Sequence, residues 1–222
     1  MEKASSTNNS PLLIYGGGGH CKALIDIIRS GDRYHIVGIL DDGLPAGTDL
    51  MGVPVLGNGG MAKELFQKGI GLAVNAVGGI GDYAQRLHIF EKLQALGFKF
   101  PTLVHPTAYV EPSAMLAPGC QLLAFAYVGS DCRVGFGTLI NAHAILSHDV
   151  VLGQVVNLSP GAMLAGAVEI GDYSQVGMGV TINLHNKVGS RCRIGNGATV
   201  KSDVPAGTVI HAGAIYPDPH FL

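Results

Sequence analysis

Charge is scarce in this chain. Only 14% of residues are Asp, Glu, Lys or Arg, and the formal net charge is −2, so there is no basic field to bind a nucleic-acid backbone. No apolar run reaches the length of a membrane span, and residues 1–10 hold no basic segment followed by an apolar one. Neither a span nor a secretory signal is expected. Cysteines are few, four in 222 residues. Three of them, Cys120, Cys132 and Cys192, fall on an interior position of the repeat described next, where a thiol behaves as a compact hydrophobe. With Cys21 alone in the N-terminal half, free thiols in a cytoplasmic protein are expected rather than disulfides. Apolar material is plentiful, at 47% of residues and a mean hydropathy of +0.33, which is ample for two domains.

From Val104 to Val200 an aliphatic residue returns at every sixth position, seventeen times in succession and always as Val, Leu or Ile. Two residues before each lies a small or β-branched side chain, such as Ala126, Thr138, Ala162 or Ser174; Asn186 strains the pattern. Gly often follows the aliphatic residue, as at Gly135, Gly153, Gly171 and Gly195. A period of six fits neither a helix nor a simple alternating strand. It fits a solenoid in which each hexapeptide is one short strand and a corner. Residues two apart share a face of a strand, so the small and aliphatic positions fill the interior. Three faces make an eighteen-residue triangular coil. Past Val200 the pattern breaks, with Val209 and Ile215 as the next expected hits and three extra residues between Lys201 and Thr208.

The N-terminal half reads differently. Residues 1–10 are polar and expected to be disordered. Leu12–Tyr15 reads as a buried strand, Cys21–Ser30 as an amphipathic helix and His35–Leu40 as a second strand ending in Asp41 and Asp42. Met61–Lys68 reads as a helix, Gly71–Val77 as a strand and Tyr83–Leu96 as a helix. Alternation of this kind predicts a small parallel, Rossmann-like α/β domain over 11–103, then the β-helix over 104–215 and a tail over 216–222. The loop Gly16–His20 lacks the third glycine of a dinucleotide fingerprint, because Cys21 or Lys22 stands there. What remains is a strand, a Gly loop and a helix start, either a phosphate cradle with acidic residues nearby for a ribose or base edge, or merely a tight turn.

Most outward positions of the repeat are small or apolar. Against them His148 and Asp149 share a corner, with Gly166 stacked on one side and Ser130 on the other. A carboxylate beside an imidazole favours its charged form and raises its basicity, and Gly166 leaves room for a thin ligand. A solvated corner is the plainer alternative, as it is for His143 and His185. His143 and His148 have the spacing of two metal ligands on such a solenoid, but Thr107 stands where a third would be, so no metal is expected.

Taken together, Ile14–His20, Asp41-Asp42, Val77-Gly78, the hexapeptides, Asn141 with His148-Asp149, Leu158–Ala162 and Gly195–Val200 resemble the bacterial sugar O- and N-acetyltransferases of the NeuD/PglD type, within the hexapeptide-repeat acyltransferase superfamily. The resemblance covers about residues 11–210. It implies a left-handed parallel β-helix that binds acetyl-CoA, an N-terminal domain that holds a nucleotide-linked amino sugar, and a homotrimer with sites between neighbouring β-helices. It implies His148 as general base with Asp149 supporting it, Asn157, Gly166, Met178 and Asn196 along the coenzyme, and Gly18, Gly19, His20, Asp41, Asp42, Gly78 and Asn141 at the sugar nucleotide. The chain departs from the family at Asn157, where a His is common, and at His211–Tyr216, which replaces a Gly-x-Pro-Ala-Lys signature. O-acetylation of sialic acid or another sugar hydroxyl, and a non-catalytic solenoid that binds a sugar nucleotide, are the alternative functions.

Overall fold

The structure is a computed structural model and describes residues 9–79, 81 and 83–217. Of the expected disorder over 1–10, residues 1–8 lie outside the described residues, as do residues 218–222 of the expected tail over 216–222; Tyr216 belongs to the last strand of the solenoid instead of the tail. The described residues form two compact units, one made of residues 9–78 and 88–101, the other of residues 79, 81, 83–87 and 102–217.

The first unit is a five-stranded sheet in the order β3-β4-β2-β1-β5. Its strands are β1 (Ser10–Tyr15), β2 (Tyr34–Leu40), β3 (Asp49–Leu50), β4 (Val53–Gly57) and β5 (Leu72–Asn75). All neighbours are parallel except β3 and β4. Leu12, Leu13 and Ile14 are fully buried, as a strand covered on both faces requires. Ser10 belongs to β1, which corrects the expectation of a disordered residue there. Helix α1 (Gly19–Arg29) buries Cys21, Leu24, Ile25, Ile27 and Ile28. It starts two residues earlier than expected, because its first-turn residue Gly19 is exposed and carries no apolar periodicity. A single turn, Gly59–Met61, leads into α2 (Ala62–Gln67), and α3 (Tyr83–Ala95) follows β5. Phe66 packs on Phe98 and Phe90 on Phe100, each pair 5.1 Å apart. The β3–β4 hairpin escaped the sequence reading. Its two-residue turn is Met51-Gly52, both with positive φ, a type I′ geometry without the usual Asn-Gly.

The second unit is a left-handed parallel β-helix of two-residue strands stacked into sheets of seven, five and seven. Partners lie eighteen residues apart, as in Leu139↔Asn157, Ile145↔Met163 and Val151↔Glu169. We call these the first, second and third faces. Leu122, Val128, Ile140, Leu146, Leu158, Ala162, Val168 and Ser174 are fully buried, confirming which positions face inward. Val104 in the opening strand is instead 40% exposed, since no coil precedes it. A Cβ on Gly135 would come within 2.5 Å of the Gly153 carbonyl carbon in the next coil. Close stacking of coils therefore explains the glycine after the aliphatic position. Residues 83–87 join this unit: Tyr83 stacks on Tyr173 at 5.3 Å, and Arg86 Nη2 donates to the Gly137 carbonyl at 3.1 Å.

The register after Val200 differs from the sequence reading. Val188 pairs with Val204 and Ile194 with Ile210, sixteen residues apart rather than eighteen. The coil has lost two residues rather than gained three. The inward series resumes as Val204, Ile210 and Tyr216, while Val209 and Ile215 are 58% and 43% exposed. Val204 and Ile210, 3% and 5% exposed, satisfy the interior; the shortened corner at Lys201–Asp203 disguised the phase.

Candidate active site

In the first unit the chain runs from β1 to β2 on one side and reaches β5 on the other, so β1 marks a topological switch point. Ligands of open α/β sheets bind outside the carboxyl ends of strands at such points. Here those ends carry Gly16–His20 after β1, Asp41-Asp42 after β2 and Ala76–Gly78 after β5. Gly18 and Gly19 are exposed with open space around their Cα atoms, and Gly18 caps α1. His20 is half-buried, its Cβ 4.0 Å from the Cβ position of Gly78. The N–H groups of Gly18 and Gly19 thus lie at a helix start, a position that favours an anion.

The two acidic residues do different work. Asp41 accepts from the N–H groups of Gly17 at 2.6 Å and of Gly43 and Leu44 at 2.8 Å, tying the glycine loop to the end of β2. Asp42 accepts from the Gly59 N–H and the Tyr15 hydroxyl, each at 2.8 Å, while Lys92 donates to that hydroxyl at 3.2 Å. The Gly59 N–H, then the Tyr15 hydroxyl, hold the Asp42 carboxyl below the usual range, and burial pushes the Tyr15 hydroxyl well up. Each Asp42 oxygen keeps a lone pair for an outside donor. Sequence reading missed Tyr15 and Lys92, which no spacing connects to Asp42.

In the second unit His148 and Asp149 sit on the corner between the second and third faces. His148 Nδ1 lies 2.7 Å from Asp149 Oδ2, and the two side chains are 64% and 58% exposed. Asp149 takes a positive φ of 61°, and its N–H donates to the Ser130 carbonyl, while the Ala167 N–H donates to that of His148. The corner is pinned on both sides by its neighbouring coils. With Nδ1–H given to the carboxylate, Nε2 is left as the outward base. Gly166 is the stacked residue: a Cβ there would lie 2.5 Å from His148 Cε1 and 2.6 Å from Nε2. His143 lies on the preceding corner, stacked on Phe125 at 5.0 Å, and Asn141 folds its Oδ1 back onto the Ala142 N–H. Among the described residues no group of three His, Cys, Asp or Glu could hold a metal ion.

A groove of about 490 Å³ runs along the first face and the corner after it. It gathers Asn157, Met178 and Asn196 with Ser159, Gln175, Arg193 and His211. Asn157 is 4% exposed; its Nδ2 donates to Ser159 Oγ at 3.3 Å and its Oδ1 has no partner among the described residues. Asn196 Oδ1 accepts from the Met178 N–H at 2.9 Å, which holds the lip of the groove. Gly166 is not part of it. A whole face of the solenoid, carrying Val151-Leu152, separates the His148 corner from Asn157, so a single chain does not bring base and groove together. Gln175, Arg193 and His211 went unnoticed in the sequence, though the first two follow Asn157 at eighteen-residue spacing.

A family model described as the PglD N-terminal domain matches residues 11–93. A variant of perosamine N-acetyltransferase from Caulobacter crescentus, solved with CoA and GDP-perosamine, is 28% identical with a TM-score of 0.85, covering 91% of this chain and 93% of that one. The acetyltransferase domain of PglB from Neisseria gonorrhoeae FA1090, solved with acetyl coenzyme A, is 31% identical with a TM-score of 0.82, covering 93% and 98%. A curated relative, an acyl-[acyl-carrier-protein]–UDP-N-acetylglucosamine O-acyltransferase of Saccharophagus degradans, is 35% identical over 52 residues. That match spans 23% of this chain and 20% of the relative.

Proposed function

Because the chain belongs to the PglD-type sugar acetyltransferases of the hexapeptide-repeat superfamily, we propose that it moves the acetyl group of acetyl-CoA onto the amino group of a nucleotide-linked amino sugar, with His148 as general base. The observation that carries this reading is the exposed His148–Asp149 pair, with Nδ1 on the carboxylate and the imidazole lying over the position where Gly166 has no side chain. The two solved relatives named above are acetyltransferases bound to coenzyme A or its acetyl ester, and one also holds a nucleotide-linked sugar.

The amine nitrogen attacks the thioester carbonyl as His148 Nε2 removes its proton. Asp149 supports the imidazolium that forms. The negative charge that develops on the carbonyl oxygen needs a donor. A half-turn of the Asn157 amide lets Oδ1 accept from the Ser159 hydroxyl and frees Nδ2 to donate, so the amide takes the part a His plays in the family. Collapse of the tetrahedral intermediate breaks the carbon–sulfur bond, and the thiolate of CoA takes the proton from His148. The thioester is already activated, so placement, one base and one donor suffice.

Since base and groove lie on separate parts of the solenoid, the reading requires the His148 corner of one copy to face the Asn157 groove of another, as in a homotrimer. An outward row on the second face, with Tyr109, Ile145, Met163 and Ile215 between 40% and 59% exposed, supports association between copies. In the first unit the Gly18–His20 loop and Gly78 receive the phosphates and Asp42 the nucleoside, while Asp41 holds the loop in shape. Among the described residues no helix is long and apolar enough to cross a membrane.

The test offers acetyl-CoA with UDP-, GDP-, dTDP- and CMP-linked sugars, with and without a free amine, and reads the acetylated product by mass spectrometry. An amide product from one amino-sugar nucleotide supports the proposal. An ester product moves the chain to O-acetylation. No product together with no acetyl-CoA binding leaves a non-catalytic binding solenoid.

A further inference from the structure

The far end of the groove carries a feature that acetyl transfer itself does not explain. It rests on the reading that acetyl-CoA occupies the groove. Outward positions on the first face run Asn157, Gln175, Arg193 and Val209, each paired with the next. They pass from a buried neutral amide to an exposed cation. Arg193 makes no ion pair or side-chain hydrogen bond among the described residues. Exposed His211 lies in the same groove on the following coil, and no lining residue is acidic, although the chain holds more acids than bases, 16 against 14. Elsewhere on the solenoid the outward Lys187 does find a carboxylate, Glu169 at 2.8 Å. An unpaired guanidinium in an acid-free groove is a binding site for an anion, and its fork of donors suits phosphate.

We propose that Arg193, with His211, binds the 5′-diphosphate of the coenzyme. Coils of a parallel β-helix stack about 4.8 Å apart, so the His211 coil lies about 14 Å along the axis from Asn157, three coils on. The pantetheine arm between sulfur and the first phosphorus has about twelve chain atoms, as many as four peptide residues, and four extended residues span about 13–14 Å. A thioester held at Asn157 therefore delivers its diphosphate to the level of Arg193 and His211. The two-residue loss between Val200 and Val204 makes this possible, because it brings His211 and Ala212 against Gly195. His211 thus supplies an N–H donor at the far end of the groove.

Titration calorimetry with CoA, dephospho-CoA and pantetheine, on the full chain and its Arg193→Gln, Arg193→Lys and His211→Asn variants, tests the assignment. Arg193→Gln weakens CoA and dephospho-CoA by about tenfold or more, the scale of one charge-assisted hydrogen bond, and leaves pantetheine unchanged. Arg193→Lys recovers part of the loss, and His211→Asn loses severalfold. Unchanged CoA affinity in Arg193→Gln overturns the proposal. A loss confined to CoA assigns Arg193 to the 3′-phosphate instead, and an equal loss for pantetheine shows a merely structural effect; either outcome overturns it. In all three cases the wild type still binds, and the acetyl-CoA reading stands. A wild type that binds none of the three ligands sinks that reading and this inference with it.

Discussion

Replacing Gly166 by Ala adds one methyl group beside the proposed base, and the structure sets the size of its effect. The new Cβ would sit 2.5 Å from His148 Cε1, 2.6 Å from Nε2 and 3.2 Å from Nδ1. Carbon atoms in contact rest about 3.5–4.0 Å apart, so the ring must move by about 1 Å. It cannot do so and keep Nδ1 at 2.7 Å from Asp149, because that corner is held by backbone bonds to the coils on either side. A misplacement of about 1 Å costs on the order of 10²-fold in rate. We therefore expect kcat to fall about 10²-fold. Stability changes by no more than about 0.5 kcal/mol, as for other surface changes, since the imidazole can swing into solvent. Initial rates of thiol release at saturating acetyl-CoA, beside thermal melts, measure both. In a His148→Ala background Gly166→Ala should cost nothing further. A variant within twofold of wild type, or an equal loss when His148 is already absent, refutes the reasoning.

Asn157→Asp removes the only amide donor of that side chain and should lower kcat by about 10²–10³, the usual cost of losing an oxyanion donor; steady-state kinetics checks it, and full activity would exclude the amide. Mixed assemblies of His148→Ala and Asn157→Asp chains should regain about a quarter of wild-type activity by random pairing, if base and donor come from different copies; mixing that restores nothing would place both in one chain. Asp42, whose carboxyl is held low, contributes stability that is complete above its ordinary value of 3.8 and is lost as pH falls through its depressed folded value. Asp42→Asn should therefore flatten the acid limb of a urea-midpoint profile, and an unaltered limb would count against that linkage. Leu158→Ala, at a fully buried interior position, should cost about 2–5 kcal/mol in denaturant unfolding.

The solenoid was legible because its constraint is local and repeats. Interior space admits one small and one aliphatic side chain per strand, so Ala162 with Leu164, or Val168 with Ile170, announce the face they bury. The shortened corner at Lys201–Asp203 hid the same rule, since one missing pair of residues shifts every later position and made exposed Val209 look like a core residue. The α/β unit yielded its strands and helices where burial was periodic, and lost the β3–β4 hairpin because Met51-Gly52 carries no familiar turn signal. At the site, the His148–Asp149 pair could be read from adjacency and stacking alone. The bond from Tyr15 to Asp42 could not, for it joins residues 27 apart through the ends of two parallel strands. Arg193 lay within reach of the eighteen-residue rule, and only its place in a groove lined by no acidic residue, a property of the folded solenoid, distinguishes it from any surface arginine.

The most direct measurement is the rate of thiol release by wild type and His148→Ala, each saturated with acetyl-CoA and with the amino-sugar nucleotide that gives an amide product. The account predicts a drop of about 10²–10⁴-fold, the contribution of a general base, with coenzyme affinity unchanged. An equal rate in the two proteins would contradict it.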